Sequence, residues 1–480
     1  MSRPLLVATV AAPTMAELRA RRDAIEDADL VELRLDAARQ IDVAAALEGR
    51  RLPVVVTCRA KWEGGAFEGT EPERKAVLAS ALQLGAEFVD VEFKAAFARD
   101  LIASTAGKRV VISTHDFSGV PDDLTDRARA MRATGAEVVK IAVMARSLSD
   151  NLRLLQLERI GRTALIAMGP SGVATRVLAA HFHSCWSYAG DGYAPGQIST
   201  ARMLEEFRFR QVTDSTHIYG VVGSPLTHSI SPALHNAAFQ AAGADAVYVP
   251  LVAASADDYT MFATALGLKG ASITIPYKVE LFRRADDMDE LSRKVGAVNT
   301  YRRSGARWEA RNTDVSGFLA PLAGRIRLAG ARAAVIGTGG AARAVAVALG
   351  AVGSSVTVYG RNRAKADIVA RTSGAAGAKG ALLPVPPKSW DLLVNATPVG
   401  MYPNVDQTPF DGVFDGTLVY DLVYNPVETR LLKEGAAAGC ETVGGLDMLV
   451  AQAEDQSEWW VGRRPPPNLM REIAQRSVRL

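Results

Sequence analysis

Across the first 200 residues, eight short β-prone runs recur between stretches of helical composition, and this rhythm constrains the fold more than any single motif. Strands are expected at Leu5–Val10, Leu30–Asp36, Pro53–Arg59, Phe88–Phe93, Arg109–Phe117, Val138–Val143, Thr163–Gly169 and Ser184–Ala189. Helical stretches such as Met15–Ala28, Glu71–Leu84, Leu124–Thr134 and Ser149–Ile160 fill intervals between them. Eight βα units in about 200 residues is the count of a (β/α)8 barrel at the small end of its size range. An open doubly wound sheet is the competing reading, and the lack of a Gly-rich phosphate loop in this half argues against it. Met1–Ala16, with an Arg followed by the uncharged stretch Pro4–Ala16, has the outline of a weak signal peptide. The barrel requires Leu5–Val10 as its first strand, and that reading is preferred.

The rhythm changes across the polar stretch Glu205–His217. Beyond it, strands are expected at Ile218–Val222, Ser272–Ile275, Ala333–Gly337 and Val356–Tyr359, with helices at Ser231–Ala242, from Val279 and at Ala341–Leu349. The division read from this is a barrel over 1–212, a substrate-binding lobe over 213–320 completed by about 445–480, and a Rossmann-like nucleotide lobe over 321–444. A chain of 480 residues has room for about three domains. Its 55 Lys and Arg against 52 Asp and Glu leave a net charge of +3, with no global attraction to nucleic acid or an anionic membrane. Cys58, Cys185 and Cys440 form no framework, which fits a reducing, cytoplasmic setting. The longest runs without Asp, Glu, Lys or Arg, Ser215–Ala244 and Ala344–Gly360, are both broken by small or polar residues, so no membrane span is expected.

In Val31-Glu32-Leu33-Arg34-Leu35-Asp36, apolar and charged residues alternate without a break. A barrel strand turns one parity to the helices and the other to the lumen, so Glu32, Arg34 and Asp36 are expected inside. Buried charges of this kind serve one another or a polar ligand; a solvated edge strand is the bland alternative. Lys140 is the lone polar side chain of Val138–Val143, and its parity also points inward. Burial disfavours an ammonium and suits lysine to attack a carbonyl. Ser113 and His115 share the inward parity of the preceding strand, and a histidine beside such a lysine is placed to move protons. Arg59 and Arg176, in loops or at strand ends on the same face, suggest an anionic substrate, a carboxylate.

ELRLD, TCR followed by Glu63, STHDF, VVKIAVM, AMGPSG with Arg176, and APGQ together resemble type I 3-dehydroquinate dehydratase through the whole of residues 1–200. The resemblance implies a Schiff base on Lys140, His115 as general acid and base, and syn elimination of water from 3-dehydroquinate. Arg176 and Gln197 would hold the substrate with Glu32, Arg34 and Arg59, and Glu63 would help place His115. Tyr193 stands where the family usually has Ser, Thr175 replaces another Ser, and His183-Ser184 replaces Gly-Ser.

Gly337-Thr338-Gly339-Gly340-Ala341-Ala342 fits G-x-G-x-x-A between a strand and a helix, which suits a pyrophosphate. The next strand ends in Gly360-Arg361-Asn362-Arg363-Ala364-Lys365, with no acid for a ribose hydroxyl. Arg361 and Lys365 favour a 2′-phosphate, and NADP over NAD. Ser229 and Ser231 open a helix in a Ser-Pro turn suited to hydroxyls or a carboxylate. Lys278 and Asp314 are a proton-transfer pair or, equally from spacing alone, a surface salt bridge.

GSPLTHSISPALHN, TIPYKVE, GAVNT, NTD, GTGGAARA, NATPVGM, YDLVYNP and GGLDMLVAQA resemble shikimate dehydrogenase along nearly all of residues 217–460. The resemblance implies Lys278 and Asp314 as the catalytic pair, with Ser229, Ser231, Thr274, Asn299 and Gln452 binding shikimate. Gly337, Gly339, Gly340, Ala341, Arg361, Asn362 and Lys365 would bind NADP. Thr397, Met401, Tyr424 and Gly445 would lie along the nicotinamide side, Tyr424 also meeting the substrate. The family's Asn-Arg-Thr turn is Gly360-Arg361-Asn362 here.

The two resemblances imply a fused, cytoplasmic enzyme of the shikimate pathway with NADP(H) as cofactor and no metal. Its partners would be 3-dehydroquinate, 3-dehydroshikimate and shikimate, with no nucleic acid or membrane and with room for a homo-oligomer. A quinate/shikimate dehydrogenase using NAD and a non-catalytic metabolite sensor are the alternatives; the retained His115, Lys140, Lys278 and Asp314 speak against the sensor.

Overall fold

The computed structural model describes residues 3–159, 161–227 and 229–478. Ile160, at the end of one expected helix, and His228, inside the GSPLTHSISPALHN motif, lie outside the described residues, as do Met1, Ser2, Arg479 and Leu480. The chain divides into two compact units, Met1–His217 with Val249–Gly267, and Ile218–Tyr248 with Leu268–Leu480.

All eight expected barrel strands form. They are β1 Leu5–Ala11, β2 Leu30–Arg34, β3 Val54–Thr57, β4 Phe88–Glu92, β5 Val110–Asp116, β6 Val138–Met144, β7 Arg162–Met168 and β8 Trp186–Ala189. They lie in the order β7-β6-β5-β4-β3-β2-β1-β8, with β1 parallel to both β2 and β8. The seam between β7 and β8 is bridged by Cys185 N–H donating to Thr163 O at 2.8 Å. One parity of each strand supplies the lumen: Val7, Leu30, Val55, Val111, Val138, Ala142, Ala164, Ile166, Trp186 and Tyr188 form one buried cluster. That is the parity of Glu32, Ser113, His115 and Lys140.

Strand β2 stops two residues early. Arg34 grips Asp36 through two hydrogen bonds of 2.9 and 2.8 Å, and the chain turns into a short 3-10 segment, Leu35–Ala37. Asp36 is therefore buried as the partner of Arg34 and of Ala66 N–H, not as a third inward strand residue. The first helix likewise ends at Asp23 rather than Ala28, because Glu26-Asp27 is polar loop, and Ser149–Ile160 contracts to a helix over Asp150–Leu155.

The chain beyond the barrel strands carries two further sheets. One contains β9 His217–Gly223, β10 Ala246–Val252, β11 Gly270–Ile273, β12 Asp287–Met288, β13 Thr300–Ser304 and β14 Arg307–Arg311, ordered β10-β9-β11-β13-β14-β12. The other contains β15 Arg332–Ile336, β16 Ser355–Gly360, β17 Lys379–Leu382, β18 Leu392–Asn395, β19 Leu418–Asp421 and β20 Glu441–Val443. Its order, β17-β16-β15-β18-β19-β20, reverses direction beside β15, the arrangement that opens a ligand crevice at the strand C-termini. The helix Gly340–Ala351 follows β15, and its Val345, Ala346, Val347, Ala348 and Leu349 are all buried, as a helix packed on several sides requires. Among the described residues no helix is long and apolar enough to cross a membrane, and no group of His, Cys, Asp and Glu is placed to hold a metal ion.

Candidate active sites

The C-terminal ends of the barrel strands converge on a cavity of about 100 Å3. Its lining includes Thr9, Glu32, Arg34, Arg59, Glu63, His115, Lys140, Arg176, Tyr188, Tyr193 and Gln197. Every barrel residue expected to catalyse or to bind substrate is thus brought to one place, whereas Ser113 and Asp36 lie behind this lining as partners of Arg59 and Arg34. A wider groove of about 510 Å3, lined by Ile25, Leu204 and Arg210 among others, gathers none of these groups, so size does not mark the site.

Lys140 is 4 % exposed, but it is not alone in an apolar lumen. Its Nζ donates to Glu32 Oε1 at 3.3 Å and to Asp90 Oδ2 at 3.1 Å, and lies 4.1 Å from the centroid of the Tyr188 ring. A proton leaving the ammonium has carboxylates beside it. Glu32 is fixed in turn by the hydroxyls of Thr9 and Thr57 at 3.0 and 2.9 Å.

Arg59 donates to Asp90 at 2.9 Å, Glu92 at 3.0 Å and Ser113 at 2.8 Å. Arg74, reaching up from the helix Glu71–Gln83, pairs with the other oxygen of Glu92 and with Glu71. Burial alone would raise the Asp90 carboxyl, but Arg59 and Lys140 hold it below its ordinary range. Asp90, Glu92, Tyr188 and Arg74 escaped the sequence reading. Phe88-Val89-Asp90-Val91-Glu92 shows the same apolar–charged alternation as the strand carrying Glu32, so the signal for the first two was present.

His115 Nδ1 lies 2.9 Å from Glu63 Oε2. Burial, with Arg59 and Lys140 nearby, pushes His115 well below its usual value and leaves it neutral. Burial pushes the Glu63 carboxyl up to about 8 against the pull of Arg59, with Glu92 and Asp90 adding to the rise. Arg176 is 2 % exposed and burial lowers it to about 10. Its only bonds among the described residues are long ones to the Tyr188 and Pro195 carbonyls, at 3.4 and 3.3 Å, and its Nε has no partner. A buried cation without a carboxylate is a receptor for an anion. Gln197 closes the other side, with Nε2 donating to Thr9 Oγ1 at 3.3 Å.

In the second unit Lys278, at the start of the helix Lys278–Phe282, forms an ion pair with Asp314, which opens the helix Asp314–Leu319. Their side chains are 15 % and 6 % exposed, so this is no surface salt bridge. Asn299 Nδ2 faces Asp314 Oδ1 and Thr313 Oγ1 at 2.9 Å and Gln452 Oε1 at 3.2 Å, joining four of the expected residues in one network. Thr274 follows β11, and a Cβ at Gly223 would lie 2.3 Å from its Cγ2, so glycine there makes room for it. Ser229, in the turn before the helix Ser231–Ala242, and Ser231, its first residue, are half-buried, and their hydroxyls make no bond to the Lys278 network among the described residues.

Gly337 has φ +131°, and a Cβ there would lie 2.8 Å from Ala396 O. A Cβ on Gly340 would touch Lys278 at 3.1 Å, which puts the glycine turn directly against the ion pair. At Gly339 the space is open, and the helix Gly340–Ala351 presents its N-terminus there. Ala341 lies in its first turn. This cradle fits a dinucleotide pyrophosphate. Arg361 and Lys365 are exposed at the end of β16 and make no ion pair among the described residues, whereas Arg363 bonds Asp367 at 3.2 Å. Asn362 Oδ1 accepts from Lys365 N–H at 3.0 Å as the cap of the helix Arg363–Thr372. Thr397 N–H and Oγ1 both donate to Asn395 Oδ1, Met401 is exposed, and Tyr424 packs against the Leu234–Leu446 cluster. A Cβ on Gly445 would lie 2.3 Å from Leu422 O. The sequence reading passed over Asp421, which burial raises to about 6 although Val423 N–H, Thr429 and Asn395 donate to it.

Comparison with known proteins bears on both units. The family model for type I 3-dehydroquinase matches residues 6–214, that for the shikimate dehydrogenase substrate binding domain matches 221–301, and that for the shikimate 5′-dehydrogenase C-terminal domain matches 445–475. The bifunctional 3-dehydroquinate dehydratase/shikimate dehydrogenase, chloroplastic, of Arabidopsis thaliana is 33% identical over 480 residues, covering 93% of this chain and 80% of that protein. The shikimate dehydrogenase (NADP(+)) of Symbiobacterium thermophilum is 42% identical over 54% of this chain and 93% of its own length. A shikimate dehydrogenase solved in complex with NADP+ superposes with a TM-score of 0.51 at 33% identity, covering 55% of this chain and 96% of that one.

Proposed function

We infer, for a chain that belongs to the bifunctional 3-dehydroquinate dehydratase/shikimate dehydrogenase family, two successive reactions of the shikimate pathway. The first unit dehydrates 3-dehydroquinate to 3-dehydroshikimate, and the second reduces that product to shikimate with NADPH. The observation that carries the reading is the coexistence of two intact constellations, Lys140–His115 in the barrel and Lys278–Asp314 beside the glycine turn.

In the barrel, Lys140 loses a proton toward Glu32 or Asp90 and its amine adds to the substrate ketone. Loss of water leaves a protonated imine. His115 takes a proton from the adjacent carbon, and the C–H electron pair moves into the imine. As those electrons return, the neighbouring C–O bond breaks and the departing hydroxyl takes the proton from His115. Water then hydrolyses the imine, releasing product and amine. Arg176 receives the substrate carboxylate, and Gln197, Arg34 and Glu32 bind its hydroxyls. Arg59, occupied by Asp90, Glu92 and Ser113, fixes the carboxylate array.

In the second unit, NADPH when bound supplies the hydride. Gly337, Gly339, Gly340 and Ala341 let its pyrophosphate approach the helix N-terminus, while Arg361 and Lys365 meet the 2′-phosphate. Asn362, Thr397, Met401 and Gly445 shape the rest of its bed. Lys278 gives a proton to the ketone oxygen as it becomes a hydroxyl, and Asp314, oriented by Asn299, holds that ammonium in place. Ser229, Ser231, Thr274, Gln452 and Tyr424 bind the ring substituents.

The domain division proposed is 1–212, 213–320 with about 445–480, and 321–444. Three free cysteines, two of them buried, support a reducing, cytoplasmic setting. The test is borohydride reduction with 3-dehydroquinate followed by mass mapping. A stable adduct on Lys140 is expected, and its loss in Lys140→Ala with reduction of 3-dehydroshikimate retained; no adduct on Lys140 ends the Schiff-base reading. Shikimate with NADP is expected to turn over faster than quinate with NAD, and the reverse ranking overturns the assignment of the second site.

A further inference from the structure

We propose that Tyr193 is a positioning residue of the dehydration site: with Arg21 and the Ala11 carbonyl it latches the last barrel loop to the first βα unit and so places Gln197 over Lys140. This rests on the proposed roles of Gln197 and Lys140.

The segment after β8, residues 190–198, lines the cavity through Tyr193, Ala194 and Gln197. Its own backbone bonds are few: Gly190 N–H to Ile198 O and Gln197 N–H to Ala194 O. Gly192 and Gly196 stand at φ +84° and +73°, so the loop contains two residues that impose little stiffness. Its position must therefore be set by ties to the rigid barrel. Gln197 supplies one, donating to Thr9 in β1 while its Oε1 accepts from Ala194 N–H at 3.0 Å. Pro195 O supplies a second, accepting from Gly169 N–H at 3.1 Å.

Tyr193 supplies the third. Its hydroxyl donates to Ala11 O at 3.3 Å and accepts from Arg21 Nη1 at 3.0 Å, and the same Arg21 nitrogen donates to Ala11 O at 2.7 Å. Ala11 ends β1 and Arg21 lies in the helix Met15–Asp23 that follows, so both anchors belong to the first βα unit. A hydroxyl accepts from the guanidinium and donates to the carbonyl through one oxygen, and phenylalanine at this position could do neither. Arg21 has no carboxylate partner among the described residues, and there Tyr193 is its one side-chain hydrogen-bond partner. Because Tyr193 both lines the cavity and carries the hydroxyl that meets Arg21 and Ala11, the latch and the cavity wall are one residue.

The test is steady-state dehydration by the full chain in Tyr193→Phe, Arg21→Met, Gln197→Ala and the paired variants. Tyr193→Phe is expected to raise KM for 3-dehydroquinate about ten-fold, the loss of a hydrogen bond to a charged group, with a much smaller change in kcat. Arg21→Met should match it, and the Tyr193→Phe/Arg21→Met pair should be no worse than either alone. On a Gln197→Ala background Tyr193→Phe should add nothing. Borohydride trapping on Lys140 at saturating substrate should stay complete in Tyr193→Phe, which a misfolded barrel would not show. Unchanged KM in Tyr193→Phe, or additive losses with Arg21→Met or Gln197→Ala, overturns the latch. An unchanged Gln197→Ala alone removes the underlying reading of the site.

Discussion

At His115 a single proton decides which ring nitrogen can act. The Glu63 carboxyl beside Nδ1 sits at about 8, and burial with two nearby cations keeps the imidazole neutral. While Glu63 is protonated it donates to Nδ1, and the ring hydrogen resides on Nε2. Once Glu63 ionises it accepts from Nδ1–H, and Nε2 is bared to act as base. The base-competent form therefore grows as pH rises through about 8 and is lost below it. kcat/KM for dehydration is expected to climb about ten-fold per pH unit on the acid side of that point. Glu63→Gln should abolish this limb, since an amide oxygen accepts from Nδ1–H at every pH. A wild-type profile flat from about pH 6 to about pH 9 counts against the coupling. Residues such as Glu32 and Lys140 are legible in the sequence because a strand's period of two assigns them to the lumen without knowledge of their neighbours. Arg74 is not legible: it comes from a helix, and its burial makes sense only when Glu92 of β4 is known to lie beside it.

At the scale of the element, the turn after β16 gathers Arg361 and Lys365 on an exposed edge while the acid that follows, Asp367, pairs with Arg363. Arg361→Ala is expected to raise KM for NADPH about 10- to 100-fold, with NADH-linked turnover little changed. Equal losses with both cofactors would place Arg361 away from the 2′-phosphate. The helix Ser231–Ala242 carries a different liability. His235 is fully buried, stacks on Tyr248 with centroids 4.5 Å apart, and is lowered by burial to about 3. Its folded value lies below the unfolded one, so the unfolded chain binds the extra proton and stability falls as pH drops from about 6.5 toward 3. The loss reaches about 3 kcal/mol by about pH 4.5, and His235→Leu should flatten it, read as hydrogen exchange across that helix. Elements with a strict period were found in the sequence within a residue or two, as with the helix Ser231–Ala242. The early end of β2 was not, because it depends on a side-chain pair, Arg34 with Asp36, that competes with the strand ladder.

At the scale of the whole molecule, each constellation is complete within its own unit. Every proposed dehydratase residue lies between Thr9 and Gln197, and every proposed dehydrogenase residue lies in Ile218–Tyr248 or Leu268–Leu480. None falls in Val249–Gly267, the segment of the later sequence that groups with the barrel. The two rhythms of the sequence mark this separation, since a barrel closes on itself and needs no strand from elsewhere. Neither reaction then requires the other site in the same molecule. An equimolar mixture of Lys140→Ala and Lys278→Ala chains, each alone unable to oxidise NADPH from 3-dehydroquinate, should do so together, with 3-dehydroshikimate passing through solution. A lag that shortens as Lys140→Ala chain is added, at constant Lys278→Ala chain, is the expected signature, because the chain that removes the intermediate sets the approach to steady state while the chain that supplies it sets the final rate. Absence of NADPH oxidation in the mixture, with each single reaction present in its own variant, would mean that the product of the barrel reaches the dehydrogenase only within one chain.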